Sequence, residues 1–460
     1  MGLQDIQTFV FVMLENRSFD HVVGYLSTPA ANPPLRVQGL SDDPAWLAAR
    51  ANTQGGKVYP IHALGAEAQT MEDPPHDHAS IALQIGKPSA PGKPPPLDGF
   101  VASYMTRQPP PADPGTVMGH YAADAVPVYD FFARNFSICD HWFAALPTGT
   151  QPNRLMAMSG SSPILDNASF GLPDQTLVYD WLTDHTVPWC AYQWGDFLPF
   201  FALMPGWLPE MATSLALSAA GGRGRFRRYG RFREHWVGDA PIPAVIFIEP
   251  EYTDGPHRQP NDDHPPTGIA RGQALLAELY ATLLANPERW RNTAMIVTYD
   301  EHGGFFDHVP PLPIRSIVAG LPIATTGLRV PAFIVSPHVA PGVPLTVPLD
   351  HTSFLQLLAD RFSPGQSYSA AVAARQLHLG RLSTVFTQVP DAAVSAPAIP
   401  LAALAALAAA NAGLPPSSGQ ADSPGADSTV HAFDRAAAKL ASDHPELATG
   451  PGWTAMPGNG

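Results

Sequence analysis

Six consecutive apolar residues, Phe9-Val10-Phe11-Val12-Met13-Leu14, run into Glu15-Asn16-Arg17-Ser18-Phe19-Asp20, so polarity changes in one step near the start of the chain. An unbroken apolar run rich in Val and Phe, without alternation, reads as a parallel-sheet strand buried on both faces, here residues 6–14. Three further runs have the same character: Ala244-Val245-Ile246-Phe247-Ile248, Ala294-Met295-Ile296-Val297-Thr298-Tyr299 and Ala332-Phe333-Ile334-Val335-Ser336. Between them lie helical patterns, clearest from Gly268 to Ala285, where Leu275, Leu276, Leu279 and Leu283 form one stripe, and again from His351 to Ala359. Strands alternating with helices predict an α/β fold, a mainly parallel sheet covered by helices on both faces. Stretches 88–96, 109–114 and 310–313 are Pro-rich and predict loops. No internal repeat is visible.

Composition agrees with a folded body carrying long irregular loops: 45% of residues are apolar, only 14% are charged, and 52 of the 460 are Pro. Length alone suggests about two to four domains, a rule that large α/β enzymes often exceed. The pattern divides the chain into a catalytic domain, 1–385, and an Ala/Pro-rich, partly helical appendage, 386–460. Within that appendage 414–428 reads as linker, and Val430 to Leu447 as an amphipathic helix. A net charge of −14 argues against a specific nucleic-acid binder, which gains affinity by neutralising phosphates with Lys and Arg. Cys139 and Cys190 leave one bridge or two buried thiols equally open. No apolar stretch is long enough to span a bilayer, and the N-terminus lacks a basic region and a cleavage site. Location is therefore cytoplasmic by default, or exported if a leader has been removed.

Chemistry concentrates in five clusters. In open α/β sheets ligands bind beyond the carboxyl ends of strands. Glu15 and Asn16 would project there and offer oxygen donors suited to a hard divalent cation; the alternative is a solvated turn. Tyr299-Asp300-Glu301-His302-Gly303-Gly304-Phe305-Phe306-Asp307-His308 ends another strand. Its adjacent carboxylates repel one another when desolvated, which a cation relieves, or arginines in a purely structural loop. His302, Asp307 and His308 read as hydrogen-bonding support rather than ligands, and Gly303-Gly304 allows a tight turn. Pro147-Thr148-Gly149-Thr150-Gln151-Pro152-Asn153-Arg154 sets a hydroxyl where a helix begins. Backbone dipoles there favour an anion or an ionised nucleophile, although an ordinary N-cap has the same pattern. Finally, Glu72-Asp73-Pro74-Pro75-His76-Asp77-His78 and Asn261-Asp262-Asp263-His264-Pro265-Pro266 present imidazoles from Pro-bounded loops. Such a group can donate to a phosphoryl oxygen or protonate a leaving group, unless it is merely solvated.

Taken in order, Glu-Asn-Arg-Ser-Phe-Asp, Asp-Pro-Pro-His, Thr-Gln-Pro-Asn-Arg, Asp-Asp-His-Pro and Tyr-Asp-Glu-His-Gly-Gly-Phe-Phe-Asp-His-Val resemble a known family over about residues 6–360. It is the bacterial and plant non-specific phospholipase C family, which includes respiratory-burst-inhibiting acid phosphatases and belongs to the alkaline phosphatase superfamily. The resemblance implies an alkaline-phosphatase-like sheet flanked by helices, and phosphoester hydrolysis through a covalent phospho-enzyme. By position Thr150 would be the nucleophile. Glu15, Asn16, Asp300, Glu301 and Thr150 would hold one divalent metal ion, and His76, His264 and Asn16 would bind phosphoryl oxygens, with His264 the better candidate to assist the leaving group. Oxygen ligands favour Ca²⁺, Mg²⁺ or Mn²⁺, with Zn²⁺ still open. The acid-phosphatase branch resembles this chain in the metal cluster but uses Ser and an adjacent His pair. Thr150 and the lack of any His-His favour the phospholipase branch.

The leading expectation is a phospholipase C-type phosphodiesterase acting on a phospholipid through a phosphothreonine. The runner-up is a phosphomonoesterase with the same site, acting on a small phosphate ester. A third reading rests on Gly221 to Arg233, which holds six arginines interleaved with Phe and Tyr in an otherwise acidic chain. As an Arg-rich loop it would serve a non-catalytic membrane- or RNA-binding protein, or add peripheral membrane contact to an enzyme. The apolar segment Phe197 to Met211 just before it would be a lid over a lipid-accepting cleft. Oligomeric state is left open.

Overall fold

A computed structural model describes residues 2–65, 71–168, 171–194, 199–219, 222, 224–252, 260–390 and 397–411. Seven strands build the central sheet: β1 (Thr8–Leu14), β2 (Ser137–Ile138), β3 (Trp189–Gln193), β4 (Phe226–Arg228), β5 (Val245–Glu249), β6 (Thr293–Tyr299) and, after the hairpin β7 (Ser316–Val318) and β8 (Leu321–Ile323), β9 (Ala332–Val335). The strand order is β2-β9-β6-β1-β5-β3-β4. From β6 to β4 every pairing is parallel, whereas β9 runs antiparallel to β6 and β2 antiparallel to β9. The sheet is thus mostly parallel, as the apolar runs predict.

The helices that matter to the site are α1 (Phe19–Val23), α2 (His78–Ile85), α3 (Pro127–Asn135), α4 (Thr150–Ser159), α5 (Ala270–Leu284), α6 (Thr352–Phe362), α7 (Ala370–Gln376) and α8 (Leu401–Asn411). They cover both faces. Phe11 of β1 stacks on Phe354 of α6 with centroids 4.3 Å apart, and Tyr129 of α3 stacks on Phe333 of β9, on the opposite face, at 5.7 Å. Each residue of β1 is buried, so no polar side chain interrupts it between Phe9 and Leu14.

The Arg-rich run is not the free loop expected from its composition. Phe226–Arg228 forms the edge strand β4, and its neighbours are engaged locally. Arg225 lies over the Trp189 ring at 5.1 Å, Arg227 donates to the Tyr192 hydroxyl at 3.1 Å, and Arg231 pairs with Glu234 at 2.9 Å. Gly221 and Arg223 lie outside the described residues. The segment expected as a lid is described from residue 199, and Phe200, Phe201, Met204 and Met211 are buried rather than exposed. Both cysteines are free and buried. The stretch Val430 to Leu447 lies outside the described residues. Among the described residues no helix is long and apolar enough to cross a membrane.

Candidate active site

Parallel register places the ends of β1 and β6 at one level, Leu14 opposite Tyr299, and Asp300 N donates to Leu14 O at 3.1 Å. The chain then turns sharply at Asn16, whose φ of +61° is a left-handed conformation rare outside Gly and Asn. The turn is held from the other strand: Asn16 N donates to Asp300 Oδ1 at 3.1 Å and Arg17 N to Glu301 O at 3.1 Å. Two glycines let the second loop approach. A Cβ on Gly303 would meet the Asn16 carbonyl oxygen at 2.0 Å, and one on Gly304 would meet Pro74 Cβ at 2.7 Å.

Asn16 is the centre of the arrangement. Its Nδ2 lies 3.0 Å from His76 Nε2 and 2.9 Å from His264 Nε2. The opposite ring nitrogens face carbonyls, His76 Nδ1 at 2.7 Å from Pro74 O and His264 Nδ1 at 2.5 Å from Pro265 O. A carbonyl only accepts, so both Nδ1 atoms carry hydrogen, and both Nε2 atoms accept from the amide. That leaves Asn16 Oδ1 facing the Thr150 hydroxyl at 3.5 Å. Burial lowers the His76 pKa to about 4, which keeps its imidazole neutral.

Thr150 begins α4, with Gly149 as the N-cap. Asn153 holds the preceding loop, its Oδ1 accepting from Leu146 N at 2.9 Å while its Nδ2 donates to Thr148 O at 2.8 Å and Gly149 O at 3.1 Å. Thr148 is occupied elsewhere, bonded to Leu165 O and Asp166, so Thr150 is the hydroxyl presented to Asn16. Glu15, Thr150 and His264 each keep 7% exposure, whereas Asn16, Asp300 and Glu301 keep none, so solvent reaches the site past the first three.

The carboxylates are strained electrostatically. Burial pushes Asp300 and Glu301 above the ordinary carboxylate range, and Asp300 raises Glu301 further. Arg154 and the Thr150 hydroxyl pull Asp300 back down. Among the described residues, Asp300 Oδ2 and Glu301 Oε1 are buried without a hydrogen bond, Arg154 Nε standing 3.4 Å from the first and His76 Nε2 3.9 Å from the second. Buried carboxylate oxygens that lack hydrogen bonds suit a hard cation, and the donor set fits one. The arrangement is not a finished metal shell, however. Among the described residues, ligand atoms lie within 4.8 Å of one another in Asp73–His76–His264 and in Asp20–Asp307–His308, not in Glu15–Asp300–Glu301. The second group is closed by Arg329, whose Nε is 2.9 Å from Asp307 and whose Nη2 is 3.0 Å from Asp20. His302 bonds Gln84 at 2.8 Å, a supporting role like that of Asp307.

Arg154 is the site neighbour whose place motif reading passes over. Its Nη2 lies 2.9 Å from Glu15 Oε1 and its Nε 3.4 Å from Asp300 Oδ2, while its guanidinium sits 4.8 Å from the Phe200 ring centre and 4.9 Å from that of Tyr252. The signal is present in the spacing: Thr150 and Arg154 are four apart at the start of a helix, hence on one face. Asp73 likewise joins the two imidazoles, which its motif alone does not announce.

The seven expected site residues therefore come together from loops spread between positions 15 and 301. The model of the family described as "Phosphoesterase family" matches residues 6–363. Non-specific phospholipase C4 of Arabidopsis thaliana is 30% identical over 358 residues, covering 74% of this chain and 63% of that protein. Phospholipase C A of Mycobacterium tuberculosis (strain ATCC 25618 / H37Rv) is 30% identical over 410 residues, covering 78% of this chain and 73% of that protein. The chain thus spans a little under two thirds of the plant relative's length. A solved structure of a protein in the alkaline phosphatase superfamily from Vibrio parahaemolyticus overlaps with a TM-score of 0.31 at 12% identity, covering 51% of this chain and 59% of that one. On the strength of the match across residues 6–363, the chain belongs to the Phosphoesterase family.

Proposed function

We propose that this protein is a metal-dependent phosphodiester hydrolase of phospholipase C type, which cleaves a phospholipid to diacylglycerol and a phosphorylated headgroup through a phosphothreonine at Thr150. The observation that carries the reading is the Thr150 hydroxyl at the N-terminus of α4, facing Asn16 Oδ1 at 3.5 Å while two imidazoles converge on the same amide. The names of relatives from plant and mycobacterium support the choice of ester class.

Glu15, Asn16, Asp300, Glu301 and Thr150 would hold the divalent ion. When bound, such an ion lowers the pKa of an adjacent hydroxyl and neutralises charge on a transferring phosphoryl group. Thr150 Oγ1 gives up its proton to solvent water as it attacks phosphorus, the bond to the diacylglycerol oxygen breaks, and that oxygen takes up a proton in turn. Water then attacks the phosphothreonine, which restores the hydroxyl and frees the phosphorylated headgroup. The amide dipoles at the first turn of α4 stabilise negative charge built up beside Thr150. His264 Nε2, which accepts from Asn16 in the free site, would let go of that amide, take up a proton from the solvent it still touches and deliver it to the leaving oxygen, while His76 positions the Asn16 amide.

Thr150→Ala should abolish both turnover and trapping of phosphoryl label on the protein, and a rate near that of the parent would overturn the assignment. Parallel assays of phosphatidylcholine, its water-soluble headgroup diester and a simple monoester decide between the diesterase and a phosphatase built on the same residues. A chelator should suppress all three rates, with recovery on adding back Ca²⁺, Mg²⁺ or Mn²⁺.

A further inference from the structure

The hairpin β7–β8 breaks the usual rules for a solvent-exposed turn. Its strands pair antiparallel, Val318 opposite Leu321, around the two-residue turn Ala319-Gly320. Both turn residues have positive φ, +51° for Ala319 and +78° for Gly320. Asn or Asp followed by Gly is the ordinary solution to such a turn, because both tolerate the left-handed region and bond water. Here an apolar alanine takes the strained position. The six residues Ile317-Val318-Ala319-Gly320-Leu321-Pro322 carry no polar side chain at all. Ile317 is 71% exposed and Leu321 52%. Val318 faces inward and the other five are exposed, and exposed apolar runs of about four residues are errors in a soluble surface unless they have work to do.

The inner side of the hairpin fixes where that work is done. Val318 and Ile323 pack on Ala145, Leu146 and Met156, against the loop and helix that carry Thr150. Arg375 ties the hairpin to the same loop, donating to Ser316 Oγ at 2.5 Å and to Ala145 O at 2.9 Å. Leu377, two residues further on, is 84% exposed. Charge is equally uneven. Between Asp307 and Asp350 there is no Asp or Glu, in a chain of net charge −14, and Arg315 stands exposed two residues before Ile317. A hairpin that is apolar at its tip, basic at its base and carries no acid of its own complements phospholipid headgroups over an acyl layer. A handful of apolar side chains is far below the area a stable protein partner needs, but suffices for shallow and reversible insertion.

We infer that the tip of β7–β8, led by Ile317 and Leu321 with Arg315 beside them, docks the protein onto a phospholipid surface and brings the Thr150 loop to its substrate. The inference rests on the phospholipase reading and adds the surface through which it meets lipid. The full-length chain is tested by co-sedimentation with vesicles of phosphatidylcholine containing phosphatidylglycerol. In parallel, hydrolysis of a water-soluble phosphodiester and of the vesicle lipid is measured. Ile317→Ser with Leu321→Ser should lower vesicle binding about tenfold or more. It should cut vesicle hydrolysis in step and leave the water-soluble ester within about twofold. Arg315→Ala should weaken binding about fivefold on phosphatidylglycerol vesicles and far less on phosphatidylcholine alone. Leu321→Trp gives a readout independent of turnover, a blue shift of its emission on adding vesicles. The inference is overturned if the parent does not bind vesicles, if the double variant binds as the parent does, or if the Trp emission does not move. It is also overturned if the variants instead abolish self-association of the chain. Vesicle binding that depends on the tip, with no hydrolysis of any ester, would sink the phospholipase reading and leave the docking surface standing.

Discussion

A methyl group added to Gly303 would collide with the Asn16 carbonyl oxygen, in a backbone conformation that side chains rarely adopt. Gly303→Ala should therefore cost at least about 2 kcal/mol of stability, together with most activity, because it drives apart the two acidic loops. Gly365, with φ of +84° and open space within 4 Å of where a Cβ would stand, is the control: Ala there should cost only about 1–2 kcal/mol, from the backbone alone, and leave activity unchanged. Thermal melts and ester assays of the pair separate collision from conformational strain. Arg154→Leu makes a second contrast. Removing one member of a buried ion-pair set leaves Glu15 and Asp300 uncompensated, at a cost of about 3–5 kcal/mol. The melting temperature should fall, and added divalent ion should restore part of it. Glu15, Asn16, Thr150, Asp300 and Glu301 stand out in the sequence because their polarity interrupts apolar runs or opens a helix. Arg154 does not, since a lone arginine inside a helix looks like a solvated face until Phe200 and Tyr252 close over it.

At the scale of elements, β1, β5, β6 and β9 are legible in the sequence because a strand buried on both faces has no polar positions to disguise it. Strands β3 and β4 escape the pattern for the converse reason. Trp189–Gln193 ends on a Gln that bonds Pro250 O, and Phe226–Arg228 is two-thirds arginine, its charge answered by tyrosine and local carbonyl partners that no local pattern reveals. Helix α6 forms where its apolar spacing predicts, yet its most telling residue is the one before it. His351 Nε2 donates to Asp300 O at 2.6 Å and its Nδ1 accepts from Trp142 Nε1 at 3.1 Å. The neutral ring is fully satisfied, and a second proton would face an indole N–H. Burial accordingly lowers its pKa to about 4, against an ordinary value near 6.5. A histidine depressed in the folded state binds more protons when unfolded, so its contribution is complete above pH 6.5 and is lost as pH falls towards 4. Denaturant unfolding should show stability declining across that window, and His351→Gln should flatten part of the decline.

At the scale of the whole molecule, every expected site residue lies between positions 15 and 301, and the segment after 385 contributes none. Of the segment's described residues, Phe386 is buried and Pro397 O accepts from the Tyr280 hydroxyl, while α8 leaves only Leu407 buried among its leucines. Deleting residues 391–460 should keep hydrolysis of a water-soluble ester within about twofold, and a loss beyond tenfold would show that the appendage supports the catalytic body. The site itself is assembled across great sequence distance, with β1 lying between β5 and β6, Phe9 opposite both Val245 and Ala294. During synthesis β1 therefore emerges before both of its partners and waits more than two hundred residues for either of them. A nascent chain carries no working centre until residue 301 has left the ribosome, and throughout that interval it trails an uncovered sticky ribbon with two open edges. Sheltering that ribbon is accordingly expected to limit production, and added chaperone should raise the soluble fraction of the expressed protein.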